Sequence, residues 1–153
     1  VYGPNEYFKG SMASVIFHSF NKITETGEMG LFKSYKEGYE DGGQLRDFVY
    51  VKDICKVIRY MIEHEEVSGL FNLGTGQARS FYDLAASTFR AMGLEPNIKY
   101  VEMPETLRAK YQYYTQANME KLRSVGYTDA FYSLEDGAKD YVQNYLMKNY
   151  EIY

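Results

Sequence analysis

The sequence predicts an α/β fold, because short apolar segments of the kind found in strands alternate with longer segments of helical spacing. The predicted strands are residues 31–32, 47–51, 70–73 and 98–103. The clearest helix follows Asp53, its predicted cap, with apolar residues at the i, i+3, i+4, i+7 spacing of one helix face. These strands are too few for a complete doubly wound sheet. We therefore predict one partial α/β domain over residues 1–153.

The other predicted helices begin at residues that commonly cap a helix N-terminus. Two of these starts are Ser-x-x-Asp patterns, in which each side chain can bond the backbone N–H of the other residue. The predicted starts are Ser11, Ser80 with Asp83, Thr115, and Ser133 with Asp136. The first helix is expected to end at Gly27. The glycine-containing segment 33–45 is predicted to be a loop.

Composition excludes several classes of function. The chain has 153 residues, a formal net charge of −4 and no basic stripe, so we expect no nucleic-acid binding. Its apolar runs fall short of the roughly 18 residues that a membrane-spanning helix needs, so no membrane span is predicted. Cys55 is the single cysteine. It excludes an internal disulfide and fits a cytoplasmic location.

Lys9-Gly10-Ser11 stands at the entrance to the first predicted helix. Free N–H groups at a helix start favour anions and oppose an ammonium charge, so Lys9 is a candidate proton acceptor. Ser11 either caps the helix or bonds a ligand oxygen. His18 shares roughly one helix face with Ser11, and no Cys, Asp or Glu stands at ligand spacing from it, so no metal site is expected. The alternative is a solvated loop lysine and a structural histidine.

Arg46 follows the glycine-containing loop and precedes a predicted strand. The planar fork of arginine suits a two-point grip on a diphosphate, so Arg46 is a candidate nucleotide contact. The alternative is an ion pair with Asp47 or Asp53. Residues 74–76 read Gly-Thr-Gly, which lacks the spacing of either common phosphate-loop pattern and is interpreted as a tight strand-to-helix connection.

Three segments, in this order, resemble the extended short-chain dehydrogenase/reductase family. They are Val1-Tyr2-Gly3-Pro4, Arg46 through Asp53, and Phe71-Asn72-Leu73-Gly74-Thr75-Gly76. A narrower similarity, to the sugar-nucleotide 6-epimerases that act on ADP-heptose, is carried by residues 9–14, His18, residues 111–112 and residues 115–117. The resemblance implies the C-terminal, substrate-binding part of such an enzyme, with the N-terminal Rossmann half missing. Its glycine-rich fingerprint and Tyr-x-x-x-Lys pair do not occur here.

The resemblance also implies roles for individual residues. Lys9 matches an acid/base lysine, and Arg46 matches the arginine on the nucleotide. Val1 matches a backbone contact to NADP. The matched substrate contacts are Ser11, His18 and Tyr111, and the matched segment lining the ADP site is Phe32, Lys33, Ser34 and Tyr35. Residues 33–35 depart from the Glu-Gly-Ser usual there, so their individual roles are the least supported.

The implied function is NADP-dependent epimerisation at C6 of ADP-heptose, for lipopolysaccharide core synthesis, by a cytoplasmic homo-oligomer that is a pentamer in the family. The chain alone is expected to be inactive, because it contains no hydride acceptor. One alternative is another nucleotide-sugar 4-epimerase or dehydratase. The other is a non-catalytic module that binds a nucleotide sugar.

Overall fold

The computed structural model describes residues 1–150 and 152, so residues 151 and 153 of the predicted domain lie outside the described part. In the described part the α/β prediction is confirmed. The α-helices are α1 Val15–Thr26, α2 Val51–Glu63, α3 Phe81–Ala91, α4 Glu105–Arg108, α5 Glu120–Ser124 and α6 Leu134–Asn144. The strands are β1 Met29–Phe32, β2 Leu45–Arg46, β3 Arg79–Ser80 and β4 Ile98–Val101. Short 3₁₀ turns cover Gly10–Met12 and Leu146–Lys148.

The strands form two small ribbons. β1 and β4 pair in parallel, with Met29 opposite Ile98 and Phe32 opposite Val101. β2 and β3 are antiparallel, with Leu45 opposite Ser80. The strands predicted at 31–32 and 98–103 are therefore present, with bounds shifted by two residues each. Helix α3 contacts both ribbons, through β1 and β3, and the Gln44 side chain, just before β2, donates to the Phe32 carbonyl at the end of β1 at 3.3 Å.

The main core lies where α3 packs between α1 and α6. Residues 84–89 of α3 are all buried, as expected for a helix covered on every side. The inner face predicted for the last helix is confirmed, since Leu134, Ala138, Tyr141 and Val142 are buried on α6. A second, smaller cluster joins α2 to α5 through Val57, Leu122 and Tyr127. In the described part of the chain, no helix is both long enough and apolar enough to cross a membrane.

Two predicted strands are wrong. Val51 begins α2, and the residues before it run extended beside Tyr2, whose N–H donates to the Val49 carbonyl at 3.0 Å. Residues 70–73 make no strand pairing within the described residues. An apolar, β-branched pattern favours a strand only where a neighbouring strand supplies hydrogen bonds and packing, and the pattern itself cannot supply that neighbour.

The two Ser-x-x-Asp starts are confirmed. The Asp83 N–H donates to the Ser80 hydroxyl oxygen at 2.9 Å, and the Ser80 N–H donates to the Asp83 carboxylate at 3.2 Å. Ser133 likewise accepts from the Asp136 N–H at 3.0 Å. These caps were predictable because both partners are local in sequence.

The other three predicted caps are wrong. Ser11 lies in the 3₁₀ turn, and Ser14 caps α1 by accepting from the Phe17 N–H at 3.3 Å. Asp53 lies inside the first turn of α2, fully buried, where it accepts from the Tyr132 N–H at 2.8 Å. Thr115 precedes α5 by five residues, because α5 begins only at Glu120. Tertiary contacts of Ser14 and Asp53 override the local pattern.

Candidate functional site

Two cavities adjoin at the start of α1, because Val15 and Phe81 line both. The first, the α1 cavity, has a volume of about 290 Å³ and lies between residues 13–16, residues 46–48 and Val1. The second, the β1 cavity, has a volume of about 300 Å³ and lies between β1 and Tyr111. Phe81, the first residue of α3, forms the wall between them.

Arg46 lies at the junction of these cavities. Its guanidinium donates to the Leu45 carbonyl at 2.8 Å and to the Gln112 carbonyl. The guanidinium carbon stands 5.5 Å from the Tyr111 ring centroid and 5.8 Å from that of Phe81. Within the described residues no carboxylate forms an ion pair with it, so the predicted alternative of a pair with Asp47 or Asp53 is wrong. The charge of Arg46 is therefore oriented but not neutralised.

The Asp47 carboxylate accepts hydrogen bonds from the loop that follows residue 73. One carboxylate oxygen accepts from the N–H and the hydroxyl of Thr75, at 2.8 and 2.6 Å. The other accepts from the N–H groups of Gly76, at 2.9 Å, and Ala117, at 3.1 Å. Asp47 therefore holds residues 75 and 76 closely, but the interpretation as a strand-to-helix connection is wrong in its first part, because residues 70–73 make no strand pairing within the described residues. The N–H groups of Thr75 and Gly76 are not free to hold a phosphate, because Asp47 already accepts from them.

The β1 cavity is lined mainly by apolar and aromatic side chains. The rings of Phe32 and Tyr111 meet edge to face, with centroids 6.2 Å apart. Burial raises the pKa of the Tyr111 hydroxyl, although the charge of Arg46 acts in the opposite direction. This cavity can receive a flat aromatic group between the two rings and β1.

Lys33, Ser34 and Tyr35 line neither cavity. Lys33 forms a 2.6 Å ion pair with Glu102, which raises the pKa of the lysine and lowers that of the carboxyl group. The Tyr35 hydroxyl bonds Glu102, and the Arg108 guanidinium stacks 3.8 Å from the Tyr35 ring centroid. The Ser34 N–H donates to Asp41 at 2.7 Å. These contacts explain the three residues structurally, and their substrate role stays a prediction.

Lys9, Ser11 and His18 are exposed and line neither cavity. Lys9 precedes the 3₁₀ turn, and the residues after that turn, Ala13 and Ser14, line the α1 cavity. His18 stands edge-on to Phe17, with ring centroids 5.7 Å apart. The structure thus brings Val1, Phe32, Arg46 and Tyr111 together. It places Lys9 near the α1 cavity and leaves the roles of Lys9, Ser11 and His18 as predictions.

Comparisons with known proteins agree with this geometry. Residues 1–74 match the model of the NAD dependent epimerase/dehydratase family. The chain is 54% identical over 154 residues to an ADP-L-glycero-D-manno-heptose-6-epimerase of Fusobacterium nucleatum, covering 97% of this chain and 46% of the relative. An enzyme of the same name from Nitratidesulfovibrio vulgaris is 51% identical over 146 residues, covering 95% and 45%. Over residues 1–74, this chain is similar to the NAD dependent epimerase/dehydratase family.

Solved structures share the fold of this chain. The crystal structure of Helicobacter pylori ADP-L-glycero-D-manno-heptose-6-epimerase matches with a TM-score of 0.71 and 29% identity, covering 94% of this chain and 41% of that one. A UDP-N-acetylglucosamine 4-epimerase from Methanobrevibacter ruminantium has a TM-score of 0.73 at 18% identity, covering 96% and 44%, and shows the fold alone. The chain spans about half the length of the curated relatives it matches.

The described residues form only part of a site for the dinucleotide cofactor of the epimerase/dehydratase family. Val1 lines the α1 cavity, in keeping with the predicted backbone contact. The sequence contains no glycine-rich fingerprint, and the backbone N–H groups of Thr75 and Gly76 donate to Asp47. The described residues therefore fit one edge of a cofactor site and do not include a pyrophosphate cradle.

Sequence reasoning missed two residues of the candidate site, Phe81 and Asp47. Phe81 forms the wall between the cavities, but in the sequence it appears only as the first apolar residue of a helix. Asp47 fixes the loop at residues 74–76. Its hydrogen-bond partner Thr75 is 28 residues away in the chain, so no local sequence pattern predicts the contact. The sequence clue to this close contact is the glycine at position 74. The structure explains it, because an added Cβ there would lie 2.5 Å from an Asp47 oxygen.

Proposed function

We propose that this chain binds the nucleotide part of ADP-heptose within an enzyme that inverts C6 of the sugar. The observation that carries the proposal is the guanidinium of Arg46, oriented by two backbone carbonyls and free of any carboxylate among the described residues, at the junction of two cavities. The names of the relatives, at 51–54% identity, support this substrate over other sugar nucleotides.

The two cavities suit the two chemical parts of such a nucleotide. The fork of Arg46, which lines the α1 cavity, can donate to phosphate oxygens there. The edge-to-face rings of Phe32 and Tyr111 line the adjoining β1 cavity, which suits an adenine base. Holding the nucleotide at both points leaves the sugar end free to reorient.

The carbon to be inverted carries an unactivated C–H, so direct deprotonation is too costly. A nicotinamide, when bound, supplies the missing chemistry by accepting and returning a hydride. The part assigned to this chain is to hold the nucleotide and to move the hydroxyl proton. Lys9 is the group proposed for that proton, because it is exposed on the loop that leads into Ala13 and Ser14, which line the α1 cavity.

The remaining parts of the proposal rest on the resemblance to the family. They are NADP as the particular nicotinamide cofactor, Ser11 and His18 as substrate contacts, and assembly into a homo-oligomer. A cytoplasmic location and a product used for lipopolysaccharide core belong to the same proposal.

Replacing Arg46 by lysine tests the nucleotide site. Arg46→Lys keeps the positive charge but loses the two-point fork, so we expect ADP to bind about tenfold more weakly in isothermal titration calorimetry. The matched control is Arg59→Lys on α2, because Arg59 is exposed and pairs with Glu63. Unchanged ADP affinity in Arg46→Lys would remove Arg46 from the site. Tighter binding of UDP or GDP than of ADP by the original chain would contradict the proposed substrate.

A further inference from the structure

The buried carboxylate of Glu6 joins two points of the chain that flank Lys9. Its side chain is only 4% exposed. One oxygen accepts from the backbone N–H of Ser14 at 2.7 Å, and the other accepts from the Ser14 hydroxyl at 2.6 Å. Since residues 6 and 14 are eight positions apart, these two bonds close a loop whose tip carries Lys9 and Ser11.

Backbone bonds inside this loop run from Glu6 towards Ser14. The Lys9 N–H donates to the Glu6 carbonyl at 3.0 Å, and the Met12 N–H donates to the Lys9 carbonyl at 3.0 Å. The Ala13 N–H then donates to the Gly10 carbonyl at 3.2 Å. Lys9 is thus bonded to Glu6 directly on one side and through the 3₁₀ turn on the other. Its backbone position depends on the closure at Glu6.

The surroundings of Glu6 hold the carboxylate in one place. Ser14 is the cap of α1, so the charge stands at the positive end of a 12-residue helix. On the other side lies Tyr141 of α6, completely buried in the main core; burial, and then the charge of Glu6, raise the pKa of its hydroxyl. Among the described residues Glu6 forms no ion pair with a Lys, Arg or His side chain. A neutral side chain would fill this space at a lower desolvation cost.

We propose that Glu6 is the positioning residue for Lys9: its carboxylate fastens the loop of residues 6–14 to the start of α1 and so sets where Lys9 stands, four residues before the part of the chain that lines the α1 cavity. This inference rests on the proposed proton-transfer role of Lys9. Glu6 itself is buried and does not touch the substrate.

Hydrogen exchange on this chain tests whether Glu6 holds the loop. Glu6→Met keeps the side-chain length but removes both acceptors, so amides 9–14 should exchange at least about tenfold faster. Glu6→Gln can still accept from the Ser14 N–H and donate to its hydroxyl oxygen, and should stay within about threefold of the original rates. The control Ser133→Ala removes the cap of α6 and should speed exchange only near residue 133. Unchanged exchange at residues 9–14 in Glu6→Met overturns the proposal. If Glu6→Met does not fold, Ser14→Ala replaces it. Faster exchange at residues 9–14 in Ser14→Ala would then support the proposal, and unchanged exchange there would overturn it.

Turnover by the full-length protein that carries this chain tests whether closure of the loop by Glu6 affects the proposed proton transfer by Lys9. We expect Glu6→Met to lower kcat by about ten- to a hundredfold, with KM within twofold. In a Lys9→Met background the same change should add no further loss, because it acts through the lysine. An additive loss overturns the positioning role alone. Full turnover by Lys9→Met overturns the proposed role of Lys9 in catalysis, and positioning with it.

Discussion

Arg46 and Asp47 are neighbours in the chain, yet their side chains do different work. Arg46 bonds only backbone carbonyls within the described residues and keeps its charge available to a ligand. Both carboxylate oxygens of Asp47 accept hydrogen bonds from backbone N–H groups, those of residues 75, 76 and 117. The aspartate thereby closes the loop at residues 74–76, and the arginine is left without a carboxylate partner. One pair of adjacent residues supplies both the candidate anion contact and the support beside it.

Gly74 shows how closely Asp47 is packed. A methyl group added there would lie 2.5 Å from an Asp47 oxygen and 2.7 Å from the Ala117 Cβ. Gly74→Ala should therefore lower the free energy of unfolding by about 1–3 kcal/mol, measured by urea denaturation. The matched control is Gly30→Ala, where the added atom meets Val101 at an ordinary 3.5 Å. The control should change stability by less than about 0.5 kcal/mol. Equal effects of the two substitutions would contradict this account.

Helices α2 and α6 are joined by a small network around Asp140. Lys52, in the first turn of α2, forms a 2.7 Å ion pair with Asp140, and the Tyr50 hydroxyl donates to the same oxygen at 2.8 Å. Burial alone would raise the pKa of Asp140, but the hydrogen bonds from Lys52, Asn144 and Tyr50 outweigh it and hold the pKa below its usual 3.8. The network ties the segment after Arg46 to the helix that covers the main core.

This lowered pKa gives a pH dependence with a definite sign. The unfolded chain takes up the Asp140 proton more readily than the folded chain, so the stabilisation is complete above the unfolded value near 3.8 and is lost as the pH falls through the lower, folded value. Asp140→Asn should therefore flatten the fall in unfolding free energy below about pH 4. Denaturation curves at several pH values would measure this. The exposed neighbour Lys139→Met should keep the original slope, and a slope unchanged in Asp140→Asn would refute the network's role.

At the scale of the whole molecule, several large apolar side chains are exposed. Phe8 and Met12 are each 83% exposed, Ile62 is 71% and Leu70 is 88% exposed. On α2, Ile58 and Ile62 stand one turn apart and face away from the cluster around Val57. Apolar area of this extent favours association with another surface. We therefore expect the isolated chain to associate.

Sedimentation velocity of this chain tests that expectation. We expect association that increases with protein concentration, and the double substitution Ile58→Lys/Ile62→Lys should shift the chain towards monomer by removing the apolar pair. Arg59→Gln and Glu63→Gln, on the same stretch of α2, are the matched control because their side chains are exposed and polar. A monomer at all concentrations in the original chain would contradict the prediction.

The sequence predicted what depends on residues close together in the chain. Both Ser-x-x-Asp caps and the inner face of α6 follow from spacings of three and four residues, and they are confirmed. The resemblance to epimerases that act on ADP-heptose also followed from short ordered segments, and the 54% identity to a curated relative of that name bears it out. Strands were predicted less well. Residues 47–51 make only a single parallel bridge, between Tyr50 and Tyr2, and residues 70–73 make no strand pairing among the described residues.

The tertiary structure alone decided which side chains are free and which are engaged. Arg46 lacks a carboxylate partner because Asp47 accepts bonds from residues 75 and 117, far along the chain. Ser14 rather than Ser11 caps the first helix because Glu6 holds it there. A local pattern records which groups could form a bond. Only the folded chain shows which of several competing partners comes within reach, since a hydrogen bond needs its donor and acceptor atoms about 3 Å apart and well aligned.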